Sequence, residues 1–187
     1  MGFLDSKAVI IRKSLCAAAL VLAAPARALD GASIEIGVGD EDTELARTGL
    51  QWNWQRRAFA GHAWSLGGYW DLQVGRWSGP LRPGQPRQSV WDIGITPVFR
   101  LERAERTRVW PYLEAGIGFH MLSDLRINSK RVFSTRFQFG DHLAAGVRFG
   151  EGHAYDMSLR LQHLSNGGLA RPNPGINFVQ LRLARWF

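Results

Sequence analysis

The sequence predicts an all-β fold: an eight-stranded antiparallel transmembrane β-barrel of the outer-membrane type, after an N-terminal signal peptide. Three observations predict it. Apolar and other residues alternate with period two through eight successive segments, each about ten residues long, the length of a tilted membrane strand. The polar face of those segments carries small residues and charges of both signs, as a narrow lumen filled with ion pairs would. The chain also ends on Arg185-Trp186-Phe187, a terminal aromatic on a last strand. A soluble barrel would reverse the faces, with apolar residues inside and charges outside.

Residues 1–28 have the pattern of an export signal. Lys7, Arg12 and Lys13 make a basic start, and Leu15 to Ala24 is an apolar run too short to span a bilayer as a helix. Ala26-Arg27-Ala28 fits a small-x-small cleavage site, leaving 29–187 as the barrel domain. Cys16, the single cysteine, falls in the removed segment, so disulfides, thiol chemistry and cysteine–zinc sites are excluded from the remainder. The formal charge drops from +7 to +4, because Lys7, Arg12, Lys13 and Arg27 leave together with Asp5. Lys130 is then the only lysine, and the rest of the positive charge is arginine. Arginine suits bidentate binding of phosphate or carboxylate. For an exported chain the matching partner is anionic lipid rather than nucleic acid.

The segments follow in order. Ile34, Ile36 and Val38 open the apolar face. Leu50, Trp52 and Trp54 continue it, then Trp64, Leu66, Trp70, Leu72 and Val74, then Trp91 through Leu101 in odd steps. Leu113 to Met121, Phe137 to Phe149, Tyr155 to Leu161 and Val179 to Leu183 complete the eight. Asp71, Asp92, Arg100, Glu114, Arg148, Asp156, Arg160 and Arg182 lie on the opposite face. Tryptophans 52, 54, 64, 70, 91, 110 and 186 are assigned to interfacial girdles. With the N-terminus in the periplasm, 56–62, 102–108 and 150–153 are short turns on that side. The stretches 40–45, 78–88, 122–135 and 165–176 face outside.

One stretch carries chemistry. Strand seven has its lipid-facing phase on odd numbers, and that phase runs on into His163 and Ser165. Residues i and i+2 of a strand share a face, so a base lies beside a nucleophile, as acyl transfer from serine requires. The corresponding phase of strand eight begins at Asn177. All three residues project outward at the rim of the apolar band. A polar group facing lipid is costly, which favours a functional reason and a lipid substrate. His62, His120, His142 and His153 are scattered over other segments, so no metal site is expected.

The run His163-Leu164-Ser165-Asn166-Gly167-Gly168, followed by Pro172-Asn173-Pro174-Gly175 and a last strand, resembles the lipid A 3-O-deacylases, the PagL family. The resemblance implies an outer-membrane esterase of Gram-negative bacteria that removes the acyl chain at position 3 of lipid A without a cofactor. Its catalytic histidine and serine fall on His163 and Ser165, and its oxyanion-stabilising groups among Asn166, Gly168 and Asn173. One position departs: the family has a glutamate twelve residues after the serine, where this chain has Asn177. An amide can orient the imidazole but stabilises its cation less than a carboxylate does.

No acidic residue occurs from 157 to the end. Asp141 interrupts the lipid-facing phase of strand six, and a hairpin centred on Gly152 would set it opposite His163. It is the candidate supporting acid. Arg126, Arg131 and Arg171 are candidates for the lipid A phosphates, and a second copy of the chain, as a homodimer, is a further candidate partner. Two other readings remain: a non-enzymatic adhesin or structural barrel, and a lipid A acyltransferase.

Overall fold

Alternating residues send every second side chain to the same face, and in this chain the two faces demand different solvents. A computed structural model describes residues 28–59, 62–82 and 86–187, and the cleavable segment proposed for residues 1–28 lies almost wholly outside them. The strands are β1 (Gly31–Gly39), β2 (Thr43–Asn53), β3 (Trp64–Gly79), β4 (Gln88–Arg103), β5 (Trp110–Leu122), β6 (Phe137–Phe149), β7 (Tyr155–Ser165) and β8 (Ile176–Trp186). Each pairs antiparallel with its sequence neighbour, and β8 pairs with β1 to close the barrel. Closure satisfies every strand edge, which an open sheet in lipid could not do.

The faces are those expected. Ile34, Ile36, Val38, Ile93, Leu143, Leu159, Leu161, Val179 and Leu181 are exposed on the exterior. Glu35, Arg47, Asp71, Asp92, Arg100, Glu114, Asp156, Arg160 and Arg182 are buried in the lumen. A soluble barrel with reversed faces is therefore excluded.

The lumen charges form a shared network. Arg47 donates to Asp92 at 2.9 Å, Arg160 to Glu35 at 3.0 Å, Arg100 to Asp156 at 2.8 Å and Arg182 to Asp156 at 2.8 Å. The indole N–H of Trp186 also donates to Asp156, at 2.7 Å. Removing one member of a buried ion cluster leaves uncompensated charge, at a cost of about 3–5 kcal/mol. Asp156→Ala is expected to destabilise the barrel by that amount, read as a lower temperature for loss of the folded gel mobility.

Trp110 and Trp186 depart from the girdle assignment. Both side chains turn inward, 2% and 7% exposed. They cap the lumen at the terminal end, where Trp110 donates its indole N–H to Arg103 O at 2.8 Å and Trp186 serves Asp156. Trp64, Trp70 and Trp91 do lie on the exterior. The first connection is also shorter than expected, since β2 begins at Thr43 and leaves only residues 40–42 between strands.

At the end opposite the termini the lumen is closed by an apolar plug. Leu45, Trp77, Val90, Leu122, Leu164, Ile176 and Phe178 point inward there, and Ile127 and Phe133 of the β5–β6 connection tuck among them. The plug fixes the rim. Leu164 sits between His163 and Ser165, and Ile176 precedes Asn177. Each chemically interesting side chain is thus braced by a fully buried neighbour on the other face of its strand.

Candidate active site

Register brings the rim residues together. Asp141 pairs with His163 across β6–β7, as the hairpin centred on Gly152 predicts, and His163 pairs with Asn177 across β7–β8. Directly opposed side chains on one face have Cβ atoms about 5 Å apart. His163 Nδ1 and Asn177 Oδ1 meet at 2.8 Å. The Asp141 side chain is exposed on the same exterior face and makes no hydrogen bond among the described residues. Ser165 follows His163 by two residues on that face, opposite Phe139. Its Oγ accepts from the Gly167 N–H at 3.4 Å, and His163 Nε2 makes no hydrogen bond among the described residues.

Gly175 makes room for the ring. A Cβ at that position would lie 2.8 Å from His163 Cε1, and the residue sits at φ +60°, a region that L side chains rarely adopt. Gly175→Ala is expected to push the imidazole out of place and lower turnover by about tenfold, since small misplacements of a catalytic group are costly. The barrel's gel mobility should not change.

The β7–β8 loop is organised by Asn166, whose side chain is buried. Its amide donates to Ser134 Oγ and Ala170 O, both at 2.9 Å, and accepts from the Gly168 N–H at 2.9 Å. Its backbone N–H donates to Asn173 Oδ1 at 3.1 Å. Asn166 therefore shapes the loop, and the Asn173 Nδ2 group makes no hydrogen bond among the described residues.

Asp40 and Arg131 join the site from other loops, and the sequence reading assigned neither this place. Asn177 donates to Asp40 Oδ2 from both its backbone N–H and its Nδ2, each at 3.0 Å. Arg131 donates to the same oxygen at 3.0 Å and to Gly175 O at 2.9 Å. Arg131 is thus engaged in holding loops, whereas Arg171 is exposed on the β7–β8 loop. Next to Arg131, Lys130 bonds Glu41 at 2.8 Å. That hydrogen bond, opposed by desolvation and helped by the charges of Lys130 and Arg131, holds the Glu41 carboxyl below its ordinary range.

An exterior cleft of about 950 Å³ ends at these residues. Asp40, Asp141, His163 and Asn177 line one part, and Phe99, Ala115, Ile117, Leu143, Leu161 and Val179 line the apolar remainder. Phe119, Phe137 and Phe139 pack together beyond Ser165, with centroids 5.0–6.1 Å apart. The other histidines lie elsewhere. His120 meets Asp92 in the lumen at 2.9 Å, His142 is buried there too, and His153 meets Thr107 O in a turn at 2.8 Å. Among the described residues no three metal-ligating side chains converge.

An apolar-coated closed barrel with a histidine, a serine and an orienting amide on its exterior rim defines a class: membrane-barrel ester hydrolases that work on lipid. Residues 44–186 match the family model described as lipid A 3-O-deacylase (PagL), and the chain belongs to that family of ester-hydrolysing enzymes. The lipid A deacylase PagL of Pseudomonas aeruginosa is 32% identical over 167 residues, covering 89% of this chain and 91% of the relative. The enzyme of the same name from Bordetella bronchiseptica is 34% identical over 156 residues, covering 81% and 80%. The crystal structure of the outer membrane enzyme PagL superposes with a TM-score of 0.73 at 28% identity, covering 83% of this chain and 98% of that one.

Proposed function

We propose that this chain is an outer-membrane serine esterase, exported by a signal in residues 1–28, that hydrolyses the position-3 acyl ester of lipid A in the outer leaflet. One observation carries the reading of the site. His163 is held at Nδ1 by Asn177 on the same exterior face as Ser165, at the end of an apolar cleft. With Nδ1 donating to an amide oxygen, Nε2 keeps its lone pair and is the base. It takes the Ser165 proton as Oγ attacks the ester carbonyl. The tetrahedral oxyanion is met by donors from the 166–173 loop, with Asn173 Nδ2 and the Gly168 N–H as the candidate pair and Asn166 as their scaffold. The Gly168 N–H exchanges Asn166 Oδ1 for the oxyanion. The C–O bond to the sugar then breaks, and His163 returns the proton to the departing hydroxyl. Water, deprotonated by His163, attacks the acyl-serine, releasing the fatty acid and restoring Ser165.

The separation of two residues along a strand leaves Ser165 Oγ bonded to Gly167 rather than to His163. Such contacts are often long in a free enzyme and tighten around the substrate. Asp141 adds negative charge beside the imidazole from β6 without bonding it, a supporting role weaker than that of Asn177. The cleft, within the usual range of about 300–1,000 Å³ for ligand pockets, receives an acyl chain. Arg126 and Arg171 meet the lipid A phosphates.

The test is an assay of the purified protein in detergent with lipid A, alone and with added phospholipid. Free hydroxy fatty acid and a freed hydroxyl at position 3 are expected in both. Gain of an acyl chain when phospholipid is present would favour the acyltransferase, and no product at all the structural barrel.

A further inference from the structure

The relay behind His163 does not end at Asn177. An amide can present either its oxygen or its NH2 to a neighbour, and the wrong choice would set an N–H donor against Nδ1 and deprive Nε2 of its role. Among the described residues, what decides the choice here is Asp40. Its Oδ2 accepts three hydrogen bonds, from Asn177 N–H, Asn177 Nδ2 and Arg131 Nη2, all at 3.0 Å. A carboxylate accepts only. The Asn177 NH2 group must therefore face Asp40, and Oδ1 must face the ring.

We propose that Asp40 is the positioning residue that makes the neutral Asn177 competent, by forcing its amide oxygen onto His163 and lending it a negative charge. The proposal rests on the reading of His163, Ser165 and Asn177 given above and deepens it.

Three features of the first hairpin place Asp40 there. Barrel closure pairs Gly39 with Phe178, one residue beyond Asn177. A Cβ on Gly39 would lie 2.6 Å from the Phe178 ring, so only glycine lets β1 approach this closely. The turn that follows is strained, with Glu41 and Asp42 both at positive φ (56° and 55°), a conformation costing roughly 1–2 kcal/mol per non-glycine residue. Asn-Gly would relieve it. The strained turn is held from the β5–β6 loop, where Lys130 bonds Glu41 and Arg131 bonds Asp40. Arg131 also ties Gly175 O into the same cluster. The charge that a glutamate would bring from β8 is thus delivered from β1, one strand away.

A carboxylate at 177 would not need this help, since both its oxygens accept. It would also face Asp40 as a like charge. The effect of removing Asp40 therefore depends on what stands at 177. The test uses Asp40→Asn, which keeps the shape of the turn, and Asp40→Ala, each alone and combined with Asn177→Glu, in purified full-length protein assayed on lipid A. In the native background both substitutions are expected to lower turnover at saturating lipid A by about ten- to a hundredfold, short of the ~10⁴ cost of a wrong tautomer in a serine triad. KM should change less than about twofold, as for a group that acts only in the transition state. In the Asn177→Glu background the same substitutions should leave turnover unchanged or raise it.

An equal loss in both backgrounds would overturn the proposal, because Asp40 would then serve only to hold its loop. No loss in the native background would overturn it too. Asn177→Ala, run alongside, keeps the two readings apart. If it is silent, the orientation of His163 by Asn177 fails; if it is damaging while Asp40→Asn is silent, only the role of Asp40 fails.

Discussion

Ser165→Ala is expected to end deacylation while leaving a barrel of unchanged gel mobility. Ser165 is partly exposed at the end of β7, and its Oγ has one long contact, 3.4 Å from the Gly167 N–H. Little folding energy therefore depends on the hydroxyl. Its place beside His163 is another matter, since among the described residues no other strand position on that face from Asn177 to Phe139 carries a hydroxyl. Loss of the nucleophile in a serine hydrolase costs about 10⁶ in turnover. Residual activity near that of the unaltered protein would remove the serine mechanism altogether.

Asn177→Ala is the second large effect. It deletes the 2.8 Å partner of Nδ1 and, with it, the side-chain hydrogen bond to Asp40, while the backbone N–H of residue 177 still reaches Asp40. The imidazole would then rotate freely and lose its preferred tautomer. Removing the third member of a subtilisin-type triad costs about 3 × 10⁴; an amide stabilises the imidazolium less than a carboxylate, so a loss of about 10²–10³ is expected here. Asp141→Asn, which removes a charge but no hydrogen bond, should cost less than Asn177→Ala. A greater loss at Asp141 in side-by-side assays would make β6, not β8, the source of the orienting group.

Much of this architecture is legible in the sequence because a barrel obeys a strict parity. The odd phase of Tyr155 to Leu161 leads to His163 and Ser165, and the hairpin arithmetic around Gly152 sets Asp141 opposite His163, as the pairing has it. The same parity was available for Asp40. The even phase Ile34, Ile36, Val38 runs straight on to it, an acid in lipid-facing register just as Asp141 is. What parity does not supply is the contact across the closure, which depends on how β1 aligns with β8, a register between strands at opposite ends of the chain. Nor does it supply the plug. Ile127 and Phe133 belong to an irregular connection and have no period to betray their burial. Trp110 and Trp186 were legible by parity: both share the even, lumen-facing phase of Tyr112, Glu114 and Arg182, which outweighs the preference of tryptophan for an interface, and Arg103 O and Asp156 accept their indole N–H groups inside.

The rim of the barrel is rigid where the chemistry needs it to be. Leu164 and Ile176 are fully buried in the plug, so the strands that carry His163 and Asn177 cannot shift without disturbing it. Loss of a buried large side chain from such a cluster costs about 3–5 kcal/mol.

The proposed removal of one acyl chain from lipid A by His163 and Ser165 is decided by mass spectrometry of lipid A from Gram-negative cells producing the unaltered protein, the Ser165→Ala protein or neither. Loss of a single hydroxyacyl chain from position 3 is expected with the unaltered protein alone, and identical spectra for the other two. A gained acyl chain, an unchanged spectrum, or the same loss with Ser165→Ala would rule the serine deacylase out.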